Sequence, residues 1–310
     1  MNRIVFLFDG QGAFKPGIGR ELYNKYKKAK EIIDEGCEIL RYDIKEYLWG
    51  EKSAQTSTMT SIAQPAISLV SLAYASVLEG MGVKGDVSLG HSLGEATALI
   101  YCSITSFKDG ILMVKKRGEV MERGGKQGSM MAIINLDLIM LENECKRISE
   151  VLNEPLVIAN INAPNQIVVS GSKQGLKMIA QFAAQNRAKG IPLDVGGAWH
   201  SPYLKEASIE FNEFLDQIEF KNPALQFYSV MEQKILYNGQ EIKESFKRQM
   251  LSQVNWVQAI VNLRSLNYTF FLEIGPSRIL RDLLNKIDAS LKADSTALYT
   301  DLEALAKNLQ

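Results

Sequence analysis

The sequence predicts an α/β fold with a large domain and a small inserted domain, and two observations support this prediction. First, apolar runs of strand length alternate with amphipathic segments of helix length along the chain. Second, the segment between Gly128 and Asp194 has the order strand, helix, strand, strand, helix, strand, which is that of a ferredoxin-like unit. Glycines bound this segment on both sides. We therefore expect residues 127–195 to form the small domain, and residues 1–126 and 196–310 the large one.

The individual elements follow from the spacing of apolar residues. The short apolar run Ile4 to Phe8 predicts a buried first strand, and Ser106 and Gly124 are suitable residues to begin and end one of the helices. The predicted elements, in chain order, are strand 4–8, helix 21–40, helix 62–78, strand 87–89, helix 95–101, helix 107–121, strand 130–134, helix 138–152, strand 156–160, a turn at 162–165, strand 167–170, helix 173–187, strand 191–194 and helix 203–215.

Composition excludes several classes of function. The 310 residues are 46% hydrophobic, and 35 basic residues balance 35 acidic ones, so no overall charge favours nucleic acid or an anionic membrane surface. Cys37, Cys102 and Cys145 are widely spaced, which is typical of free thiols in a reducing compartment and not of a zinc site or disulfides. No apolar run is long enough for a signal peptide or a membrane span. We expect a soluble, cytoplasmic protein without a metal site.

A G-x-S-x-G pattern occupies residues 90–94, between a predicted strand and a predicted helix. Glycines two places either side of a serine allow the backbone to turn sharply and to expose the hydroxyl group at the start of a helix. The flanks are those that a nucleophile requires, and they favour Ser92 as a nucleophile. The alternative is that Ser92 is only a small residue in a tight bend.

A serine nucleophile needs a base, and the chain has only two histidines. His91 is next to Ser92, where adjacent side chains diverge, so it is a poor candidate. His200 lies in the loop "GGAWHSP" and is the candidate base, although a lone histidine is more often an ordinary structural residue. No acid stands out as a third member, because Asp194 lies in a predicted strand.

Seven segments give the chain a specific resemblance. It is similar to malonyl-CoA:acyl carrier protein transacylases and to the acyltransferases of polyketide synthases, including those that act in trans, over essentially its whole length. The matching segments, in order, are "FLFDGQGA", "SLGHSLGE", "VKKRGEVM", "IANINAPNQIVVSG", "GAWHSPYL", "RQMLSQVNWVQAI" and "FLEIGPSRIL". The resemblance implies a hydrolase-like large domain, a ferredoxin-like insert and ping-pong transfer of an acyl group from a coenzyme A thioester to a phosphopantetheine thiol.

The resemblance also implies roles for individual residues. Ser92 would attack the thioester and His200 would accept its proton, while the backbone N–H groups of Gln11 and Leu93 would bind the oxyanion. The residue at the position of Arg117 binds the free carboxylate of a malonyl unit in the family, a geometry that suits a guanidinium. From the residues alone, the alternative is that the run ending at Arg117 is only the solvated face of a helix, which is the usual place of such a charge run.

Four further residues are supporting candidates. The resemblance implies that the main chain of Gln249 orients the histidine in place of an acid. Asn160 and Asn162 match a motif of the small domain, and we interpret them as loop structure with a contact to pantetheine. His91 belongs to the elbow itself.

The chain departs from the family pattern at three positions. Asp9 and Ala13 replace the usual Pro and Ser that flank Gly-Gln-Gly, which brings a carboxyl group close to the expected cleft. Trp199 stands before the histidine, where family members often have Phe or Ser. A tryptophan there should restrict the space beside the acyl α-carbon unless the ring turns away. Malonyl is therefore the first choice of acyl group and a substituted malonyl the second.

The expected partners are malonyl-CoA as substrate and an acyl carrier protein as acceptor, in fatty-acid or polyketide synthesis, with no tightly bound cofactor and a monomeric enzyme. Lys189 and Lys205 are candidates for contact with an acidic carrier helix. Two other classes remain open at this point: an acyl hydrolase that uses water as acceptor, and a noncatalytic subunit that only binds a carrier.

Overall fold

The computed structural model describes residues 3–309, which form two β-sheets covered by helices. The strands in the described residues are β1 (Ile4–Phe8), β2 (Val87–Gly90), β3 (Gly128–Ile134), β4 (Leu156–Ala163), β5 (Gln166–Ser172), β6 (Lys189–Pro192), β7 (Gln226–Ser229), β8 (Lys234–Leu236), β9 (Val254–Asn255), β10 (Phe270–Ile274) and β11 (Lys292–Ser295). The α-helices there are α1 (Arg20–Lys25), α2 (Lys27–Leu40), α3 (Lys45–Leu48), α4 (Thr60–Gly80), α5 (Leu93–Tyr101), α6 (Phe107–Gly124), α7 (Leu138–Leu152), α8 (Lys173–Gln185), α9 (Lys205–Asp216), α10 (Gly239–Arg248), α11 (Trp256–Ser265), α12 (Ile279–Ile287) and α13 (Leu302–Leu309).

The larger sheet has the strand order β11-β10-β1-β2-β7-β8 and is parallel except for β8. Its central strand β1 is buried on both faces. Phe6 and Phe8 pack into the core beneath α4 and α5, while Val5 and Leu7 pack beneath α11 and α12. Two-sided burial explains why β1 is a continuous apolar run and not an alternating one.

Helix α4 is the main core helix of the larger layer. By length and composition it is apolar enough to cross a membrane, but most of it is buried in the interior of the protein. It packs against α2 and α6 in the main hydrophobic core. Its apolar character is therefore explained by burial on all sides.

The smaller sheet has the order β6-β3-β5-β4-β9. Strands β3 to β6 pair antiparallel in the ferredoxin-like arrangement, with α7 and α8 packed on one face. Strand β9 comes from later in the chain and pairs parallel with β4. The predicted α/β class and the βαββαβ order are confirmed, whereas the domain boundaries at 126/127 and 195/196 stay a prediction.

Several element bounds were predicted wrongly. The single helix predicted over 21–40 is two helices, because Tyr26 adopts an extended conformation with φ −115° and ψ 122°. The predicted helix 203–215 begins with a short 3-10 turn, Pro202–Leu204, before α9.

The small sheet also differs from its predicted bounds in two places. Strand β4 continues to Ala163, so Asn162 lies in the strand and not in the predicted turn. The last strand is Lys189–Pro192, because it pairs with the end of β3 in the register Lys189 to Ile134. Asp194 therefore lies beyond the strand, on the segment that leads to His200.

Candidate active site

The serine elbow joins β2 to α5. Ser92 has φ 54° and ψ −103°, a conformation that non-glycine residues rarely adopt and that is typical of strained functional turns. The turn is closed tightly by its glycines. A Cβ atom on Gly94 would lie 1.9 Å from the carbonyl oxygen of Phe8, and one on Gly90 would lie 1.9 Å from the carbonyl carbon of Gly94.

His200 reaches the elbow from the loop after the small sheet. Its Nε2 lies 2.7 Å from the Ser92 hydroxyl, and its Nδ1 lies 3.1 Å from the carbonyl oxygen of Gln249 and 2.9 Å from that of Ser252. Carbonyl oxygens only accept, so Nδ1 carries the proton and Nε2 is the free acceptor. Two main-chain carbonyls thus hold the ring where other serine sites use a carboxylate.

The histidine is buried and neutral. Burial, the neighbouring Arg117 guanidinium and His91 together lower the pKa of His200 to about 3, although the hydrogen bonds to Gln249 and Ser252 oppose this shift. At neutral pH the ring is therefore able to accept a proton. Asp194, which was weighed as a third member, makes no bond to the histidine among the described contacts.

Arg117 lies in the middle of α6 and is only 1% exposed. Arg117 therefore lies in the interior of the protein and is not part of a solvated helix face. Its NH1 donates to the Gln64 side chain at 2.9 Å, and its NH2 donates to Gln249 at 2.8 Å and to the Ser92 hydroxyl at 3.2 Å. Burial lowers its pKa to about 10, and Nε has no partner among the described residues.

Gln249 bonds four polar residues of the site. Its side-chain Nε2 donates to the Ser92 carbonyl at 2.8 Å and to Glu95 Oε2 at 2.7 Å, and its Oε1 accepts from Arg117. Its main chain accepts from His200. The expected role of its main chain is present in the geometry, and its side chain has additional contacts that the sequence did not indicate.

A second series of amides extends from Arg117 towards the loop after β1. Gln64 Nε2 lies 3.4 Å from Gln11 Oε1, and Gln11 Nε2 donates to Thr60 Oγ1 at 3.0 Å. The side-chain oxygen of Gln64 accepts from Arg117, and the side-chain oxygen of Gln11 faces the NH₂ group of Gln64. The side chain of Gln11, whose N–H is an expected oxyanion donor, is thus connected through Gln64 to the guanidinium beside the nucleophile.

The two expected oxyanion donors lie at the ends of adjacent parallel strands. Gln11 begins a 3-10 turn after β1, and Leu93 is the first residue of α5 after β2. Residues Phe8 and Gly90 are paired in the sheet, so the turns that follow them lie side by side. The first N–H groups of a helix have no partner within it, so both groups are available to an anion.

These residues border a cavity of about 320 Å³ between the two sheets. Its wall includes Met130, Asn160 and Val168 from the small sheet as well as Ser92 and His200 from the large layer. The functional residues predicted on separate parts of the chain therefore meet at one cleft, as interdomain ligand sites commonly do.

Trp199 is 5% exposed and borders the same cavity. Its ring lies against two glycines, since a Cβ atom would be 2.1 Å from the ring on Gly125 and 2.8 Å on Gly197. The ring therefore occupies space that any other residue at Gly125 would fill. The expected alternatives were restriction of the cleft or rotation away from it, and the structure shows the ring stacked on the glycines at the cleft wall.

The His91 ring bonds Asn162 and not the Ser92 hydroxyl. Its Nε2 lies 2.8 Å from Asn162 Oδ1, and its ring meets Trp256 edge-on at 5.6 Å. Burial lowers the pKa of His91. It therefore links the elbow to β4. Asn162, expected as loop structure, lies in β4 and forms the other half of this link.

Asp9, whose carboxyl group was expected near the cleft, is one of the residues that border the cavity. It is buried and accepts a hydrogen bond from Ser277 at 2.8 Å, on the connection between β10 and α12. Burial and the adjacent Glu273 raise the pKa of Asp9 well above its usual value. Ala13 is a small buried residue at the end of the same loop.

Sequence reasoning missed Glu95 and Gln64. Each is a polar residue within an apolar helix, in "LGEATALI" and "SIAQPAISLV" respectively, and both are almost completely buried. A lone acid or amide in such a run indicates a buried polar contact, because an unpaired one would be too costly. That signal was available for both residues.

The fold and the site define a class of protein: an α/β layer with a serine elbow, a histidine on the serine hydroxyl, and a second sheet that closes the cleft. Residues 5–300 match the model of the acyl transferase domain family. The chain belongs to this family, and the predicted resemblance is confirmed.

Three relatives illustrate the similarity. The chain is 34% identical to the malonyl CoA-acyl carrier protein transacylase of Bacillus subtilis, over 100% of this chain and 97% of the relative. The structure of MCAT from Streptococcus pneumoniae is 30% identical, with a TM-score of 0.91 over 98% of this chain and 99% of that one. A type II PKS acyl-carrier protein in complex with its malonyl-transacylase has a matching chain that is 26% identical, with a TM-score of 0.94 over 99% and 100% of the two chains.

Proposed function

We propose that this protein transfers a malonyl group from coenzyme A to the phosphopantetheine thiol of an acyl carrier protein, with Ser92 as nucleophile. The observation that carries this proposal is the pairing of a Ser92–His200 hydrogen bond with a buried arginine 3.2 Å from the same hydroxyl. The hydroxyl is thereby placed between a base and a binding group for a carboxylate. The names of the relatives support the substrate and the acceptor.

In the first half-reaction, Ser92 Oγ attacks the thioester carbonyl and its proton passes to His200 Nε2. The tetrahedral intermediate then collapses, the C–S bond breaks, and the departing coenzyme A sulfur takes the proton from His200. The product is a malonyl ester of Ser92. The two main-chain carbonyls on Nδ1 stabilise the imidazolium that forms between these steps.

In the second half-reaction, His200 takes the proton of the carrier thiol and the sulfur attacks the ester carbonyl. The C–O bond breaks, and Ser92 Oγ regains a proton from His200. In both steps the negative charge develops on the former carbonyl oxygen. The N–H groups of Gln11 and Leu93 are the proposed donors to it, and loss of one such donor typically costs about 10² to 10³ in rate.

Arg117 is the proposed site for the malonyl carboxylate. A guanidinium has five N–H donors, and three bonds to Gln64, Gln249 and Ser92 leave others free. A carboxylate bound there lies next to the nucleophile. The Trp199 ring, which lies against Gly125 and Gly197, borders the cavity that would hold the acyl group. Its bulk favours malonyl over a branched malonyl unit.

The carrier is proposed to approach along the surface that holds Lys189 and Lys205. Both side chains are exposed, at the edge strand β6 and at the start of α9. Lysines at these positions suit an acidic helix. Reversal of both charges should raise the KM for the carrier and leave acylation by malonyl-CoA unchanged. Unchanged KM and kcat for the carrier would refute this surface.

The proposed reaction needs no tightly bound cofactor, and a cytoplasmic location is part of the same proposal.

Intact-protein mass spectrometry tests the function directly. The wild type and Ser92→Ala are incubated briefly with malonyl-, methylmalonyl- and acetyl-coenzyme A. We expect a malonyl adduct on the wild type alone, with less methylmalonyl and acetyl adduct. An adduct on Ser92→Ala would refute the nucleophile. Rapid release of free malonate, without transfer to a carrier, would instead show a hydrolase.

A further inference from the structure

Glu95 is a buried acid that the proposed mechanism does not use. It lies one turn after the nucleophile on α5 and is 3% exposed. Its Oε1 accepts from the Ser229 hydroxyl at 3.3 Å and from the Val230 N–H at 3.2 Å, while its Oε2 accepts from Gln249 at 2.7 Å. Within the described residues, no carboxylate lies within ion-pair distance of Arg117.

The carboxylate determines how the Gln249 amide is oriented. One end of the amide faces Glu95 Oε2 and the Ser92 carbonyl, which are both acceptors, so that end must be the NH₂ group. The other end faces the Arg117 guanidinium, which only donates, so it must be the oxygen. A reversed amide would place two acceptors together on one side and two donors together on the other.

We propose that Glu95 is a positioning residue for the acyl carboxylate: it fixes the Gln249 amide, and through that amide it holds Arg117 beside Ser92. This inference rests on the proposed function for its kinetic consequences, but its structural content does not depend on the substrate. Glu95 touches no reacting atom. Its effect passes through Gln249 to the group that binds the malonyl carboxylate.

The isosteric amide cannot reproduce this arrangement. In Glu95→Gln, an NH₂ group at the Oε1 position would face the Val230 N–H. An NH₂ group at the Oε2 position would face the NH₂ of Gln249. A reversal of Gln249 to relieve that contact would direct its NH₂ at Arg117. Each orientation leaves one pair of donors opposed: at Val230 in the first, at Gln249 in the second and at Arg117 in the third. The bond between Gln249 and Arg117 is lost in the third orientation, so it should be weaker on average than in the wild type.

The same logic predicts an effect of pH. The groups that face Glu95 are Arg117 from α6, Gln249 from the turn after α10, and Ser229 and Val230 at the end of β7; of these only Arg117 is charged. Burial raises the pKa of Glu95 to about 7, and its hydrogen bonds and Arg117 oppose this rise. Below that pH the carboxyl gains a proton. A proton on Oε2 would face the NH₂ group of Gln249, so the hydrogen bond from Gln249 to Oε2 would be lost.

The experiment compares Glu95→Gln with Glu95→Asp, which keeps the charge, and with the surface control Glu213→Gln on α9. The ratio of kcat/KM for acylation by malonyl-CoA to that by acetyl-CoA is measured from pH 5.5 to 8.5. Because Ser92 and His200 act in the same way on malonyl-CoA and acetyl-CoA, a change that affects only these two residues leaves the ratio unchanged. We expect Glu95→Gln to lower it about tenfold at pH 8, Glu95→Asp to lower it less, and Glu213→Gln to leave it unchanged.

In the wild type the ratio should fall as the pH decreases through about 7, and in Glu95→Gln it should be independent of pH. A folded Glu95→Gln protein with the wild-type ratio, or one that keeps the pH dependence, would overturn the proposal. If kcat/KM falls equally for malonyl-CoA and acetyl-CoA in Glu95→Gln, the role of Glu95 is purely structural, and this result would also overturn the proposal.

Crystal structures of the two variants without substrate separate this inference from the proposed function. We expect the Arg117–Gln249 hydrogen bond to persist in Glu95→Asp and to be lost or lengthened in Glu95→Gln. If the wild type does not accept malonyl from coenzyme A, the proposed function fails, whereas the variant structures still decide the role of Glu95. An unchanged bond in Glu95→Gln would refute that role.

Discussion

At the scale of single residues, Arg117 is a buried cation whose hydrogen-bond partners are neutral: two glutamine amides and a serine hydroxyl. A lysine there keeps the charge but offers a compact ammonium, which cannot reach both amides and also fork onto a carboxylate. We expect Arg117→Lys to reduce the rate of malonyl adduct formation by about tenfold or more. Acetyl adduct formation should change less, because acetyl has no carboxylate.

The control for this change is Arg123→Lys on the same helix. Arg123 is exposed and pairs with Glu210 at 2.7 Å, so its replacement should leave acylation by either donor unchanged. Mass spectrometry of quenched time points measures both rates. Equal losses for malonyl and acetyl in Arg117→Lys would contradict the proposed carboxylate site.

Gly94, like Gly90, leaves no space for a side chain in the elbow. A Cβ atom would lie 1.9 Å from the Phe8 carbonyl oxygen, a contact with backbone that side-chain motion cannot relieve. We expect Gly94→Ala to lower the free energy of unfolding by about 1–3 kcal/mol or more. Gly12→Ala is the matched control, since the nearest atom to its Cβ is a side-chain carbon 3.8 Å away. Urea unfolding compares them, and equal midpoints would contradict this account of the turn.

At the scale of elements, α6 carries Arg117 and begins at a side-chain cap. The hydroxyl of Ser106 accepts from the Asp109 N–H at 3.0 Å, as the sequence predicted. Ser106→Ala should lower the free energy of unfolding by about 1 kcal/mol, and Ser106→Gly by only a few tenths, because glycine is a tolerated cap. Chemical unfolding monitored by circular dichroism measures both. A larger loss for Gly than for Ala would contradict a capping role.

The first helical region shows where element prediction from sequence is limited. The spacing of apolar residues is helical from Glu21 to Leu40, but the backbone is extended at Tyr26. The Tyr26 hydroxyl donates to Glu303 at 2.7 Å and accepts from the Leu302 N–H at 3.0 Å, at the start of α13. These contacts with residues 276 and 277 positions later in the chain accompany the break, and local periodicity contains no information on them.

At the scale of the whole molecule, burial controls the reactivity of the three cysteines. Burial raises the pKa of Cys102 and of Cys145 to about 12, and it also raises the pKa of the partly exposed Cys37. Because the thiolate is the reactive form, a raised pKa slows alkylation. At pH 8 we expect iodoacetamide to modify Cys37 slowly and the other two only after unfolding in urea. Peptide mapping measures this, and modification of Cys102 in the native protein would refute its burial.

The sequence by itself determined the α/β class, the βαββαβ order of the small sheet, the elbow and the choice of Ser92 and His200 as partners. Periodicity, glycine spacing and the scarcity of histidine are local or compositional signals, and the backbone obeys them directly. The family resemblance added Gln11, Leu93, Arg117 and Gln249. In the structure Arg117 bonds the Ser92 hydroxyl, Gln249 bonds the Ser92 carbonyl, and Gln11 and Leu93 border the same cavity.

Only the tertiary structure decided how these residues are connected. Glu95 bonds the Gln249 amide on one side of Arg117, and the Gln64 amide bonds Arg117 on the other. Trp199 lies against Gly125 and Gly197, and β9 pairs with β4 from much earlier in the chain. Each of these features depends on contacts between distant parts of the chain. The physical reason is that buried polar groups must find partners in space, and sequence spacing does not specify which partners the folded chain brings within reach.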